Sequence, residues 1–523
     1  MSAHGKSAIV IGGGIAGLAT AALLGREGYS VTLCEARSDL GGRAGSWEQD
    51  GFRFDTGPSW YLMPEVFEHF FRLLGTTADE QLDLAPLTPA YRVYSEPAKS
   101  GSTRSVDVVS GRAEAIELFE QIEPGAGARI DKYLDSAGDA YDLAISRFLY
   151  DTYETKTGLV DPALLRRLPQ LLPLLTRNLA SHIDKQFTDP QLQKILAYPA
   201  VFLGGSPYGV PSLYHLMSHL DLDDGVRYPR GGFVTVIDAI AVLARAQGVH
   251  LRTNASVSRI RTRSGRAQGI TLESGEELSA DIVVSTADLH HTETTLLEQN
   301  EQTYPQKWWD KRVPSPGALL ILLGVSGSLP ELPHHTLLFA DDWRSNFDAI
   351  FGAETHIPDP ASIYVCRPSA TDDNVAPADH ENLFVLVPIP ADPTLGYGGI
   401  DGAGDATIEK AADAVISQIS QWCGVPDLAD RIVVRRTIGP GDFMTDLNSW
   451  RGNSLGLAHT LGQSAFFRPG NVSKKVDGLY YAGTSALPGI GLPMCLISAE
   501  LVIKRLRGDR TAGPLPEPVS AGS

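Results

Sequence analysis

The chain has 523 residues, too many for one ordinary hydrophobic core, so its length implies two or three domains with interleaved segments. Its 44 Lys and Arg stand against 62 Asp and Glu, a net charge of −18, which argues against a nucleic-acid-binding surface and against bulk attraction to an anionic membrane. Cys34, Cys366, Cys423 and Cys495 are scattered without CxxC spacing, so neither a disulfide framework nor a zinc site is expected, and a reducing, cytoplasmic setting fits.

The N-terminal apolar run is interrupted by Gly12, Gly13 and Gly14 and ends in no cleavage-like stretch, so it reads as strand, turn and helix rather than as a signal peptide. Residues 7–10 are β-like, residues 16–26 form a small-residue helix stopped by Gly28, and "SVTLCEA" returns as a strand, giving a βαβ unit. Within it, Gly12-x-Gly14-x-x-Gly17 lets the backbone approach a pyrophosphate while Ile15 and Ala16 open the helix whose N-terminus faces it. Glu35 follows Gly17 by 18 residues, close to the ~20 expected of a carboxylate that accepts the ribose hydroxyls, and Ala36 comes next. The motif alone leaves NAD and FAD open.

Beyond the acidic strand, "GGRAGSW" supplies Gly42 and Arg43, and "FRFDTGPSW" supplies a hairpin and a turn through Pro58, Ser59 and Trp60. Taken singly, Arg43 also reads as a surface ion-pair residue. "MPEVFEHFFRLLG" places Phe67, Phe70, Phe71 and Leu74 at helical spacing, with Pro64 in the first turn and Gly75 as the stop.

Residues 76–225 carry a strand signal near 91–94 and then mostly helical signals, as an inserted substrate region would. Inside it, residues 164–180 are Leu-rich but contain Pro169, Pro173 and three arginines; they cannot span a bilayer, yet could lie in headgroups or cover a channel. His215 and His219 are spaced i, i+4 without an intervening HExxH glutamate or an evident third ligand, so no metal is expected. After the Gly231–Gly232 turn come a helix to residue 246, Gly248 as stop, and β-rich "VHLRT" and "ASVSRI", the latter holding Val257. Residues 289–430 read as a second insertion, with strands near 319–324 and 383–388 and a helix near 406–422. His290, His291, His334, His335 and His459 fall at expected loops or element ends, where a satisfied or solvated role is favoured.

"GLYYAGTSALPGIGLPMCLISAE" repeats the strand–turn–helix pattern near the C-terminus. Gly483 and Thr484 end the strand, Gly489 and Gly491 permit a tight path beside a flat ring, and Leu492, Pro493 and Met494 open a helix whose positive end suits the pyrimidine edge of a reduced flavin. A Pro/Gly/Ser-rich tail after Gly508 reads as disordered.

The dinucleotide motif, the acidic ribose ligand and Gly-Gly-Arg together resemble FAD-binding, amine-oxidase-like flavoproteins. "VIGGGIAGLATAALLGREGYSVTLCEARSDLGGRAGSW", "DTGPSWYLMPEVFEHFF", "YPRGGFVTVIDAI", "GLAHTLGQSAFFRPGN" and "GLYYAGTSALPGIGLP" narrow the resemblance to bacterial-type phytoene desaturases. One departure is Leu487, where that family often has His before the Pro-Gly pair.

The resemblance implies an α/β fold: a Rossmann-like FAD-binding domain of the amine-oxidase/GDI-like type, built from residues 1–75, 226–290 and 431–508. A helical, membrane-facing region (76–225) and an α+β substrate region (291–430) are inserted in it, and 509–523 form the tail. It implies FAD held by Gly12, Gly14, Ile15, Ala16, Gly17, Glu35, Ala36, Gly42, Arg43, Pro58, Ser59, Trp60, Val257, Gly483, Thr484, Gly491, Leu492, Pro493 and Met494. It further implies stepwise desaturation of phytoene towards lycopene, oxygen or a quinone as electron acceptor, and peripheral contact with the cell membrane from the cytoplasmic side.

Such chemistry asks the protein mainly to position a polyene, because the substrate's own double bond delocalises developing charge. No nucleophile motif is present, no proton acceptor stands out, and the aromatic groups Phe67/Phe70/Phe71, Trp308/Trp309 and Phe466/Phe467 are candidates either for core or for the polyene channel. Competing readings are a desaturase of a later or shorter carotenoid, an amine oxidase, and a non-enzymatic isoprenoid carrier; the intact glycines, Glu35 and the turn at 488–493 speak against the carrier.

Overall fold

The computed structural model describes residues 5–98, 103–154 and 171–518. Its first layer is a five-stranded, wholly parallel sheet in the order Leu479–Tyr481, Ile282–Ser285, Ser7–Ile11, Ser30–Cys34, His250–Arg252. The chain therefore leaves this sheet and returns to it four times. Ile9 lies between Val283 and Thr32 in register, and the central strands are apolar runs, as a sheet covered on both faces requires.

The helix Ile15–Arg26 buries every residue from Ile15 to Leu24, because its alanines and glycines let it sit close to two neighbours, Val234–Ala246 and Leu492–Arg507. The helix Pro64–Leu73 turns Phe67, Phe70 and Phe71 into this same core, each 2% exposed or less.

A second sheet of seven strands runs Ile432–Ile438, Gly317–Ser326, His380–Ile389, Ile363–Cys366, His335–Phe339, Tyr91–Ser95, Ser105–Val108. It is antiparallel apart from the parallel pairing of His335–Phe339 with Tyr91–Ser95. Gly317–Ser326 is buried along nearly its whole length. The helix Ala406–Cys423 packs on one face of the sheet, and the helical segments Arg112–Ile122, Ala126–Ala144 and Pro190–Ala197 pack towards the other.

The chain beyond Gly508 differs from the disorder expected of its composition. Lys504 is wholly buried on the C-terminal helix, and its ammonium donates to the carbonyls of Tyr150 (2.8 Å), Thr511 (2.6 Å) and Gly513 (2.5 Å). A buried ammonium must find acceptors, and the tail supplies two of them. Leu515 is buried, its N–H donates to Glu500 Oε1, and Glu517 meets His69 at 3.0 Å. Residues 519–523 lie outside the described residues, as do residues 164–170 of the Leu/Arg-rich segment; residues 171–176 are helical. Among the described residues, no helix is long and apolar enough to cross a membrane.

Candidate functional site

The ends of the parallel strands open onto one large cavity of about 800 Å³, the place where open α/β sheets bind their ligands. Gly12 turns the chain out of the first strand at φ +100°, a conformation that favours glycine, and donates its N–H to Cys34 O at 2.8 Å. Gly14 then begins the helix with no side chain capping it, so the first-turn N–H groups stay available to an acceptor in the cavity. A Cβ on Gly14 would meet only Gly41 O at 3.7 Å, which leaves the backbone open to a ligand.

Gly17 is different: a Cβ there would lie 2.0 Å from Gly12 O, so this glycine serves helix–strand packing and does not line the cavity. Glu35 ends the second strand beside the loop, its Oε2 accepting from Gly13 N at 2.6 Å and its Oε1 from Arg37 N at 2.9 Å. Ala36 and Val257 join Glu35 in the cavity wall, where the N–H of Ala255 donates to Glu35 O at 2.8 Å.

The Gly41–Gly42 turn docks onto this loop through Gly41 N to Gly13 O at 2.9 Å and delivers Arg43 to the wall. The Arg43 guanidinium donates from Nη2 to Ser449 Oγ at 2.6 Å and stands 3.8 Å from Asp288, while its buried Nε has no partner. Behind it, a Cβ on Gly57 would fall 1.9 Å from Arg43 O, so the turn carrying Pro58, Ser59 and Trp60 must stay glycine-led to pack there. Ser59 Oγ pairs with Tyr364 Oη at 2.5 Å, and Trp60 stacks on His335 with ring centroids 4.5 Å apart.

From the far side of the sheet, Gly483 (φ +113°) ends its strand and donates its N–H to Ser498 Oγ at 3.0 Å. The turn that follows is tied by Arg468, which is 4% exposed and donates to the carbonyls of Leu457 (2.9 Å), Thr484 (2.5 Å), Gln463 (3.2 Å) and Ala486 (3.3 Å). Burial pushes its guanidinium down to about 10. Gly491, at φ +125°, begins the helix Leu492–Arg507, again without a side-chain cap. Thr484, Leu492, Pro493 and Met494 complete this wall.

Of the residues expected to hold the cofactor, all except Gly17 therefore line the same cavity. Two uncapped helix N-termini, an orphaned guanidinium nitrogen and backbone that a Cβ would obstruct are what a long, anionic dinucleotide needs, so the residues present fit FAD.

Past this cleft the wall turns apolar, through Phe148, Leu171, Leu175, Val201, Phe202 and Leu213. The aromatic candidates separate here. Phe466 reaches the cavity, whereas Phe67, Phe70 and Phe71 are core, and Trp308 and Trp309 cluster with Tyr304 and Trp450. Phe466 and Phe467 are also 48% and 54% exposed.

His215 and His219 sit on a broken helical run rather than one regular helix. Each has its own partner, Ser136 Oγ at 2.9 Å and Asp223 at 3.1 Å. His334 and His335, expected satisfied or solvated, are instead buried at the start of a strand, each with Nδ1 on a hydroxyl and Nε2 unpartnered. Sequence reasoning gave Arg468 no role, although it stands in "GQSAFFRP".

Comparison with known proteins gives this site its family. Residues 15–503 match the model of the flavin containing amine oxidoreductases. The chain belongs to this family. It is 42% identical to the carotenoid 3,4-desaturase of Haloarcula japonica, over 97% of this chain and 99% of that protein. It is 34% identical to the zeta-carotene-forming phytoene desaturase of Myxococcus xanthus, over 97% and 94%. A redesigned putrescine oxidase shares the fold with a TM-score of 0.62 at 14% identity, over 96% of this chain and 99% of that one. The chain is thus a phytoene-desaturase-type flavoprotein, an FAD-dependent carotenoid desaturase acting on CH–CH bonds.

Proposed function

We propose that this desaturase takes phytoene stepwise towards lycopene, holding FAD with the cavity-lining residues named above. The carrying observation is the continuity of the cavity: one space runs from the dinucleotide loops into an apolar chamber, so a polyene can lie against the flavin end with little polar contact. An amine oxidase needs polar groups around its amine, whereas the stretch of wall through Phe148, Leu171, Leu175, Val201, Phe202 and Leu213 is apolar.

Bound FAD supplies the two-electron hydride acceptor. Arg43 and the helix N-terminus at Gly14 would neutralise its pyrophosphate, Glu35 would accept its ribose hydroxyls, and the positive end of the helix begun at Gly491 would favour charge on the reduced ring. The chamber excludes water and holds the chain in line, which is the protein's main contribution when the substrate stabilises its own developing charge. Oxygen or a membrane quinone would serve as the electron acceptor. Phe466 in the cavity wall and its neighbour Phe467 are exposed, as is Leu172 at 54%, and such exposed apolar side chains suit peripheral bilayer contact on the cytoplasmic side.

A second reading is desaturation of a later carotenoid. The 42% identity to a 3,4-desaturase favours it, and Leu487 stands where the family often has His. Expression in one host that accumulates phytoene and another that accumulates lycopene, with pigments resolved chromatographically, separates the two. New conjugation in the phytoene host establishes the first; conversion in the lycopene host alone overturns it for the second.

A further inference from the structure

The reaction leaves a proton behind in an apolar chamber, and the cavity wall carries few groups able to take it. His459 is a poor candidate because its Nε2 lone pair already accepts the N–H of Ile490 at 3.2 Å. A different cluster stands out. Asp221 is 3% exposed, and its Oδ2 accepts hydrogen bonds from Tyr91 Oη at 2.9 Å and from Tyr198 Oη at 3.0 Å, while its Oδ1 is buried without a partner. No basic side chain among the described residues forms an ion pair with it. Tyr198 lies in the cavity wall with Trp60, Phe202 and Phe339, whose rings stand 5.6 to 6.1 Å from its own.

We propose that Tyr198 and Asp221 are the proton acceptor of the desaturation, Tyr198 meeting the substrate and Asp221 taking the proton through it. This rests on the carotenoid-desaturase reading above. When the hydride leaves one carbon for the oxidised flavin with its two electrons, the C–H bond on the neighbouring carbon breaks and its electron pair becomes the new π bond. The proton passes to Tyr198 Oη as the phenol's own proton moves to Asp221 Oδ2, which leaves a neutral tyrosine and a neutral carboxylic acid. Substrate loses two hydrogens, and no charge is left stranded in the wall.

Three features favour this role over a purely structural knot. A buried carboxylate without a cation is costly, and proteins keep such groups where chemistry uses them. Proton uptake removes that charge, so burial itself contributes driving force. Asp221 also sits in a π-helical turn, Leu220–Asp224, a distortion found mostly at functional sites.

Burial raises the Asp221 carboxyl to about 7, partly opposed by the two phenols, which places it near the working range of a general base. Tyr91 and Tyr198 are the titratable groups facing it. Its chain neighbours are otherwise occupied: His219 with Asp223 (3.1 Å) and Asp224 (3.7 Å), while Arg112 from a separate helix meets Asp223 at 3.8 Å.

The test uses the FAD-loaded full chain, mixed anaerobically with liposomes carrying whichever carotenoid the pigment experiment identifies, while oxidised-flavin absorbance is followed. Asp221→Asn keeps an oxygen for both phenols but has no base; we expect flavin reduction at least ~100-fold slower, with Asp221→Glu within ~10-fold of wild type. The wild-type rate should climb with pH to a plateau above neutrality, and the Asn variant should lose that dependence. Tyr198→Phe, which leaves Asp221 on Tyr91, should slow reduction as Asp221→Asn does.

Reduction by Asp221→Asn within about threefold of wild type, on an unchanged pH profile, overturns the proposal. Failure of wild type to reduce its flavin overturns the substrate reading instead. Infrared difference spectra of wild type minus Asp221→Asn then decide the point separately: a carboxyl band titrating near neutrality supports the proposal, and its absence sinks it.

Discussion

Asp221 should cost this protein stability at the pH where it works. In the unfolded chain its carboxyl titrates near 3.8, whereas in the fold burial raises it to about 7. A carboxyl whose folded value is raised stabilises the fold fully below the unfolded value, and that contribution is lost as pH climbs through the folded one. The difference is about 3 pH units at ~1.4 kcal/mol each, or about 4 kcal/mol lost between pH ~4 and ~7. Asp221→Asn has no such charge to bury.

For 523 residues at ~2.1 cal/mol/K each, the unfolding entropy is about 1.1 kcal/mol/K, so the variant should melt ~4 °C above wild type at pH 8 and together with it near pH 4. Thermal unfolding at saturating FAD, followed by circular dichroism at both pH values, measures this. A gap that does not change with pH, or a variant that melts lower at pH 8, would refute a buried, unpaired carboxylate. Gain of stability with loss of rate is the pattern expected where a strained group does chemistry.

Three further substitutions probe the cofactor end and the mouth. Gly17→Ala puts a methyl group 2.0 Å from Gly12 O and 2.7 Å from Thr286 Oγ1, so the loop must move and the purified protein should emerge from gel filtration without flavin; a wild-type absorbance ratio would contradict this. Arg468→Met strips four backbone carbonyls of their donor at a cost of at least ~3 kcal/mol, and Arg468→Lys should rescue little of it because an ammonium cannot span the same fork; denaturant titration reads both. Changing both Phe466 and Phe467 to Ser should lower co-sedimentation with liposomes at least ~10-fold, since each ring contributes ~1.5–3 kcal/mol when buried. Equal recovery in the pellet would remove these rings from any membrane-contact role.

What could be read from sequence is what short-range geometry dictates. Gly12, Gly14 and Gly17 announce a turn and a close contact within six residues, and the Gly483-to-Met494 turn does the same for the second wall. The seven-stranded sheet has no such signature. Its order interleaves strands from residues 91–108, 317–389 and 432–438, and one of its pairings is parallel, so only tertiary packing selects the register. The aromatic helix at 64–73 shows the ambiguity of composition: its spacing demands one buried face but does not say whether that face meets core or ligand. The tail misled for a related reason, because polar, proline-rich composition says nothing of a buried ammonium eleven residues upstream of Leu515 that needs its carbonyls. Asp221 is invisible in sequence because its partners stand 130 and 23 residues away.

Leu487 changes meaning once the turn is built. In this chain an imidazole does meet the Pro-Gly turn, but it is His459, brought from a separate loop. Its Nε2 accepts the Ile490 N–H, so the ring proton must sit on Nδ1 and point to Tyr214 Oη at 2.6 Å, and Tyr214 in turn donates to Ser464 Oγ at 3.1 Å. Burial, with Arg468 nearby, holds the ring neutral, as that one-proton pattern requires. Gly489 is the reciprocal adaptation: a Cβ there would lie 2.4 Å from His459 Nε2, so the turn can close on the ring only if the residue is glycine. The substitution at 487 therefore leaves a hydrocarbon side chain before the turn and supplies its imidazole contact from elsewhere. What it alters is the shape and polarity of the cavity wall, which is the property that decides which carotenoid fits.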